Sequence, residues 1–462
     1  MKLTSTNPAR SYEPIGTVEL STEQDIQTAL LKARAVQPKW AALTQTGRNV
    51  ALESFLVLCE ASAQDIATLI TKEMGKPLNE SRTHVQDSVD RYRAFMAMAG
   101  QALAPEIVYE TGTERHHQFR EPLGVIACIG PWNFPMLNLA WQTGQALLTG
   151  NAVVLKQSEE IILFSELIRS LIAKSDLPDG VFQIILGDAA TGELLIKQPV
   201  DAIFFTGSTR TGQRITELAA KTSTRVLTEM GGSAPGIIFE DADIDRIIDT
   251  VYLARFDNTG QYCDGLKRLI VHEDKLDKVL TALAKVNATK TVGDPMDDKT
   301  DIGPLVAKRQ LDLLNSQVDD ARTKGAKIVF GGKEPAGLNG AYYEPTVITN
   351  VTADMRVWTE EVFGPVLPVM TFKTEDEAIG LANDTIYGLG AYIFTEDKPR
   401  YFRVAKQLNS GMVGDNNALF YSPYTPFGGY KASGNSRTNG VAGFHEVTQI
   451  KVISEEKTRS TE

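Results

Sequence analysis

Short, unbroken apolar runs alternate with helix-length amphipathic segments through most of this chain. Val125-Ile126-Ala127-Cys128-Ile129, Val153-Val154-Leu155, the run 181–185 and Ala202-Ile203-Phe204-Phe205 read as buried strands, with helices after Pro135 and over 161–173 between them. Fully apolar strands spaced by helices predict a mainly parallel sheet covered on both faces, with its ligand site beyond the carboxyl ends of the strands. A second set follows: strands at 236–239, 268–271, 326–330 and 367–370, and helices over 244–256, 276–286 and 307–323. Before residue 122 the pattern is helical. Ser21-Thr22-Glu23-Gln24 reads as a capping box opening a helix that Pro38 should end. Further helices are expected over 50–59, 65–74 (stopped by Gly75-Lys76-Pro77) and 85–103.

The first twenty or so residues, broken by Pro8 and Pro14, read as an extended lead-in. Residues 107–120 read as a hairpin around Gly112, carrying His116 and His117, which point to opposite faces of a strand and so do not chelate together. The final patterned segment, 448–453, is a strand with charge on one face. That strand and the isolated hairpin suggest sheet formation across a subunit boundary. Residues 419–434, rich in Gly, Pro and aromatics, read as a loop returning to a ligand site. No internal repeat or low-complexity tract is present.

A chain of 462 residues exceeds one hydrophobic core and implies two or three domains. The formal charge of −11 disfavours nucleic acid and acidic lipid as partners. The three cysteines, Cys59, Cys128 and Cys263, are too few and scattered for a disulfide framework or a Cys-rich metal site. No signal-peptide pattern opens the chain and no apolar run reaches membrane-spanning length, so the expected location is cytoplasmic.

Cys59 and Cys128 sit in apolar runs, whereas Cys263 follows Gly260-Gln261-Tyr262 in a polar segment. An ionised thiol there would attack a carbonyl carbon, with backbone N–H groups to lower its pKa; the alternative is an inert thiol. Glu229, ahead of Gly231-Gly232, suits a general base near a desolvated pocket, or else a turn-capping acid. Gly207-Ser208-Thr209-Arg210-Thr211-Gly212 follows a strand and suits a diphosphate, although its spacing is not the three-glycine fingerprint. Lys156 closes a strand, where it would reach ribose hydroxyls or a phosphate unless it is a plain surface lysine. The Asn133 amide, between strand and helix, suits an oxyanion.

Taken together these motifs resemble the aldehyde dehydrogenase superfamily, from about residue 6 to about residue 455. The likeness rests on Pro-Trp-Asn-Phe-Pro at 131–135, Lys156 to Glu159, Phe-Thr-Gly-Ser-Thr at 205–209 and Glu-Met-Gly-Gly at 229–232. Gly-Gln-Tyr-Cys at 260–263, Glu-Glu-Val-Phe-Gly-Pro at 360–365 and Pro-Phe-Gly-Gly-Tyr-Lys-Ala-Ser-Gly at 426–434 complete it. The resemblance implies a Rossmann-like cofactor domain (1–106 and 121–228), an α/β catalytic domain (229–418) and a return segment lining the site (419–444). It also implies a small β oligomerisation arm (107–120 and 445–458) and a homodimer or homotetramer. Cys263 would be the nucleophile forming a thiohemiacetal and then a thioester, Asn133 the oxyanion donor and Glu229 the base for the hydrolytic water. Trp132, Lys156, Glu159, Gly207, Ser208, Gly212, Glu361 and Phe363 would hold the dinucleotide. A carboxylate at Glu159 accepts from a ribose 2′-hydroxyl and repels a 2′-phosphate, which favours NAD, with NADP still possible and Arg210 a nearby softening cation. No metal is implied.

In overall look the chain is similar to the bacterial succinate-semialdehyde dehydrogenase group. The two arginines that grip a carboxylate there are replaced by Trp141 and Asp257, and Ser436-Arg437-Thr438 departs from the usual Gly-Arg-Glu, a change expected to touch local contacts and not the chemistry. Trp141, Tyr262, Phe420, Tyr421 and Tyr424 suggest an aromatic tunnel for a neutral, aromatic-tolerant substrate. Asp257 and Asp264 suggest an amino-aldehyde unless they face away. The competing readings are a succinate-semialdehyde dehydrogenase, a catalytically retired relative and an acyl-transferring relative using coenzyme A; Glu229 speaks for hydrolysis.

Overall fold

A computed structural model describes residues 1–457; position 458, the last of the expected arm, lies outside the described residues. Two α/β layers carry the site. The first is a five-stranded, all-parallel sheet in the spatial order Phe182–Ile184, Ala152–Gln157, Val125–Gly130, Ala202–Thr206, Arg225–Glu229. Its strands are almost wholly buried because helices cover both faces, which is why they are apolar throughout. The chain runs outward from Val125–Gly130 to one edge, then restarts beside it with Ala202–Thr206. That reversal leaves a crevice at the carboxyl ends of these two strands.

The second layer is a seven-stranded sheet in the order Lys327–Phe330, Thr346–Thr349, Val366–Phe372, Leu266–His272, Ala234–Ile238, Gly390–Phe394, Met412–Asp415. All its pairings are parallel except the edge pair Lys327–Phe330 with Thr346–Thr349. The hairpin strands Glu106–Glu110 and Glu114–Pro122 pair with the terminal strand Thr448–Glu456 within the same chain, Thr448 opposite Pro122 and Glu456 opposite Glu114.

Two local expectations give way to tertiary context. The N-terminal stretch is not a plain extended lead-in: Lys2–Asn7 and Glu13–Glu19 form an antiparallel hairpin. Pro38 does not end its helix, which runs Glu23–Ala41. Only its last turn lies beyond the proline, and that turn is anchored by buried Trp40, whose Nε1 donates to the Leu147 carbonyl at 2.9 Å. The helix starts at Thr22, with Thr22 and Asp25 forming the capping box. The helix expected from residue 85 begins earlier and spans Leu78–Ala102. No single helix among the described residues is long and apolar enough to cross a membrane.

Candidate active site

Cys263 is presented by a strained turn. Asn258 (φ 48°) and Thr259 (φ 56°) both occupy the left-handed region, followed by Gly260 at φ 70°. Such a conformation costs about 1–2 kcal/mol per residue, most for β-branched threonine, and persists only where neighbours over-determine it. Here they do. The buried Asn258 amide donates to the Asn133 carbonyl (3.0 Å) and the Gln261 carbonyl (3.2 Å), while its backbone N–H donates to Glu80 Oε2 at 3.0 Å. Thr259 Oγ1 donates to the Gly303 carbonyl (3.1 Å), and Gln261 Oε1 accepts from the Val306 N–H (2.9 Å). The same net orients Asn133, whose side-chain amide donates to the Gln261 carbonyl at 3.1 Å.

Glu229 closes the Arg225–Glu229 strand and is 3% exposed. Its Oε1 accepts from the Ser436 hydroxyl at 2.8 Å and its Oε2 has no partner. The return segment reaches this carboxylate only because glycines allow it. A Cβ on Gly428 (φ 154°) would lie 2.9 Å from Glu229 Oε1, and one on Gly434 (φ 128°) would collide with the Thr228 carbonyl. Ser436 was expected to affect local contacts alone. It touches the acid itself.

Burial pushes the Glu229 carboxyl well above the usual carboxylate range; the Ser436 hydrogen bond and the Arg437 charge pull the other way without winning. Burial likewise pushes the Cys263 thiol well up, the Asp264 charge adds to the rise, and the Lys267 ammonium opposes it. Desolvation sets the direction, in place of the expected lowering by backbone N–H groups. The Cys263 sulfur lies 3.5 Å from Asp264 Oδ1.

Lys267 is a residue bonded to the site that the motif reading passed over. Its buried Nζ donates to the Gly232 carbonyl (2.9 Å), to the Cys263 carbonyl (2.9 Å) and to Glu361, which also accepts from the Gly232 N–H at 3.1 Å. A lysine inside a strand is ordinary in sequence; only the partners reveal it.

One cavity of about 800 Å³ unites Cys263, Glu229 and Asn133. Trp132, Gly207, Ser208, Glu361 and Phe363 line it on one side; Trp132 and Phe363 meet edge to face at 5.5 Å. Ser208 caps the helix Thr209–Ala219, whose N-terminus opens at the carboxyl end of the Ala202–Thr206 strand. Lys156, Glu159 and Gly212 lie outside this cavity. Lys156 is buried at the end of its strand with Nζ 3.4 Å from Glu159 Oε2, and a Cβ on Gly212 would collide with the Met230 sulfur. Among the described residues no group of three or more His, Cys, Asp or Glu side chains could hold a metal ion.

The other end of the cavity is lined by Trp141, Asp257, Tyr262, Asp264, Phe420 and Tyr421, joined by Phe134 and Phe427. Trp141 stacks on Phe427 at 4.5 Å, and Tyr262 meets Phe134 edge to face at 6.0 Å. Trp141 is aimed by a π turn, Ala140–Gly144, inserted between the short helices Pro135–Leu139 and Gln145–Leu148. Tyr424 is exposed and does not line the cavity.

Residues 1–453 match the model of the Aldehyde dehydrogenase family. The chain belongs to that family. It is 35% identical over 450 residues to a mitochondrial succinate-semialdehyde dehydrogenase of Oryza sativa subsp. japonica, covering 97% of this chain and 85% of the relative. It is 36% identical over 434 residues to a betaine aldehyde dehydrogenase of Sinorhizobium fredii, covering 93% and 88%. The NAD⁺ complex of an aldehyde dehydrogenase from Bacillus cereus superposes with a TM-score of 0.95 at 30% identity, over 99% of this chain and 94% of that one.

Proposed function

We propose that this aldehyde dehydrogenase oxidises an amino-aldehyde to its carboxylic acid with NAD, using Cys263 as nucleophile, Asn133 as oxyanion donor and Glu229 as the base for deacylation. The observation that carries this reading is the convergence of these three side chains, from the strained turn, a strand-to-helix loop and a strand end, on one cavity. The residues along its other side fit a dinucleotide. The N-terminus of the Thr209–Ala219 helix favours a diphosphate, and Glu361 and Phe363 suit the nicotinamide ribose and ring. The Glu159 carboxylate favours an unphosphorylated adenosine ribose.

Bound NAD supplies the hydride acceptor. The Cys263 thiolate adds to the aldehyde carbon, and the oxyanion takes the Asn133 amide and the Cys263 N–H. Lys267, whose charge opposes the upward push of burial on Cys263, favours the thiolate. After oxidation the thioester carbonyl is attacked by water, whose proton Glu229 accepts at the unpartnered Oε2. Aromatic faces line the tunnel, and acids (Asp257, Asp264, Glu80) outnumber cations along it, which supports a cationic far end. A succinate-type substrate would meet Trp141 and Asp257 where arginines are needed.

The first layer then serves as the cofactor domain and residues 229–418 as the catalytic domain. The three-stranded sheet serves as an oligomerisation arm, because Ile107, Val108, Tyr109, Ile450, Val452 and Ile453 are half-exposed on it.

NADH formation measured with an amino-aldehyde, with and without coenzyme A, tests the reading. Turnover independent of coenzyme A is expected; a strict requirement for it would replace hydrolysis with acyl transfer.

A further inference from the structure

The outer wall of the cavity carries more than aromatic rings. Glu80, His84, Asp87 and Arg91 recur every three or four residues along the helix Leu78–Ala102, and all four line the cavity as one stripe about 16 Å long. Its charge changes sign along its length. Glu80 is spoken for, since it holds the Asn258 N–H. Asp87, which is exposed, and Arg91, which is partly buried, are not: they stand one turn apart and feel each other's charge, but neither makes a hydrogen bond or ion pair among the described residues.

Arg91 leans on Trp141, its guanidinium carbon 5.8 Å from the ring centroid. The Arg91 Nε and Nη1 and the Trp141 Nε1 are buried donors without an acceptor, and Asn138 Oδ1, one turn before Trp141, is a buried acceptor without a donor. Those four atoms are closed off from the cavity, but the adjacent charges of Asp87 and Arg91 line it, and neither is held by the protein; the pair suits a ligand that bears both signs.

We propose that this wall binds the head of an α-amino acid, so that the substrate is an aldehyde whose far end carries an adjacent ammonium and carboxylate. The carboxylate takes the Arg91 guanidinium; the ammonium takes the Asp87 carboxylate. A plain carboxylate would leave Asp87 opposing it, and a plain ammonium would leave Arg91 unmet. The inference rests on the aldehyde-oxidising reading above and narrows its amino-aldehyde. The head is untouched in the reaction, so the product is an α-amino dicarboxylic acid.

That product class is stable and serves as the probe. Calorimetric titration of the full chain with L-aspartate, L-glutamate and L-α-aminoadipate is compared with the plain diacid and the ω-amino acid of each length. One α-amino diacid should bind at least about tenfold more tightly than both of its counterparts. Arg91→Met and Asp87→Asn should each erase that advantage, and Arg91→Lys, which keeps the charge without the fork, should restore part of it. Equal binding of the diacid, the ω-amino acid and the α-amino diacid at every length would overturn the proposal. So would an advantage that survives Arg91→Met or, if that variant does not fold, Asp87→Asn. Calorimetry does not depend on turnover, so failure of the underlying reading would show separately, as no NADH from any aldehyde.

Discussion

Glu229 and Cys263 face the same obstacle, because burial favours the neutral form of each while the chemistry uses the charged one. Activity that needs the Glu229 carboxylate should therefore rise with pH through a pKa above the usual carboxylate range. The Ser436 hydroxyl stabilises the charged form, so Ser436→Ala should move that limb of the kcat–pH profile to higher pH by about 1–2 units, the size of one hydrogen bond to a charged group. A limb that stays in place would remove Ser436 from the mechanism. Lys267 acts on the thiol in the opposite sense to burial. Lys267→Met should raise the Cys263 pKa further and slow alkylation by iodoacetamide at neutral pH by about tenfold, one pKa unit of lost thiolate. An unchanged rate would reduce Lys267 to a support for Glu361.

At the scale of elements, the turn Asp257–Gly260 is the device that aims Cys263, and the Asn258 side chain is its tie. Asn258→Ala loses buried hydrogen bonds and an amide that tolerates the left-handed conformation. It should lower kcat/KM by about a hundredfold, as expected for a misplaced nucleophile, and also lower Tm. Kinetics like those of the parent would mean that the turn stands without its tie. Much of this architecture was legible beforehand. The apolar runs at 125–129 and 202–205 marked two neighbouring strands of the first sheet because parallel strands buried on both faces have no polar positions. The motifs brought Glu229, Cys263 and Asn133 together before any coordinates did. What stayed hidden was whatever depends on distant partners. Glu80, His84, Asp87 and Arg91 look like the solvated face of a helix until the cavity wall is seen to lie along them. Ser436 and Lys267 are unremarkable residues until their carboxylate acceptors, Glu229 and Glu361, each more than ninety positions away in the chain, are in view. Pro38 misled for the same reason, since the last helical turn is held by Trp40 and not by its own propensity.

For the whole molecule, the sheet of Glu106–Glu110, Glu114–Pro122 and Thr448–Glu456 leaves apolar side chains half-exposed, more than an isolated arm of this size should show to water. If this sheet is the proposed oligomerisation arm, Val452→Arg should shift the protein to a smaller species in light scattering coupled to size exclusion; an unchanged mass would contradict that role for the sheet. The two sheets and the return segment serve a single cavity, and the central claim about that cavity is covalent. Glu229→Gln should still form the Cys263 thioester but fail to hydrolyse it. Intact and peptide mass spectrometry of this variant after NAD and propanal should show one acyl group, on the peptide that contains Cys263. Unmodified protein in the presence of NADH formation, or an acyl group on another residue, would contradict the account.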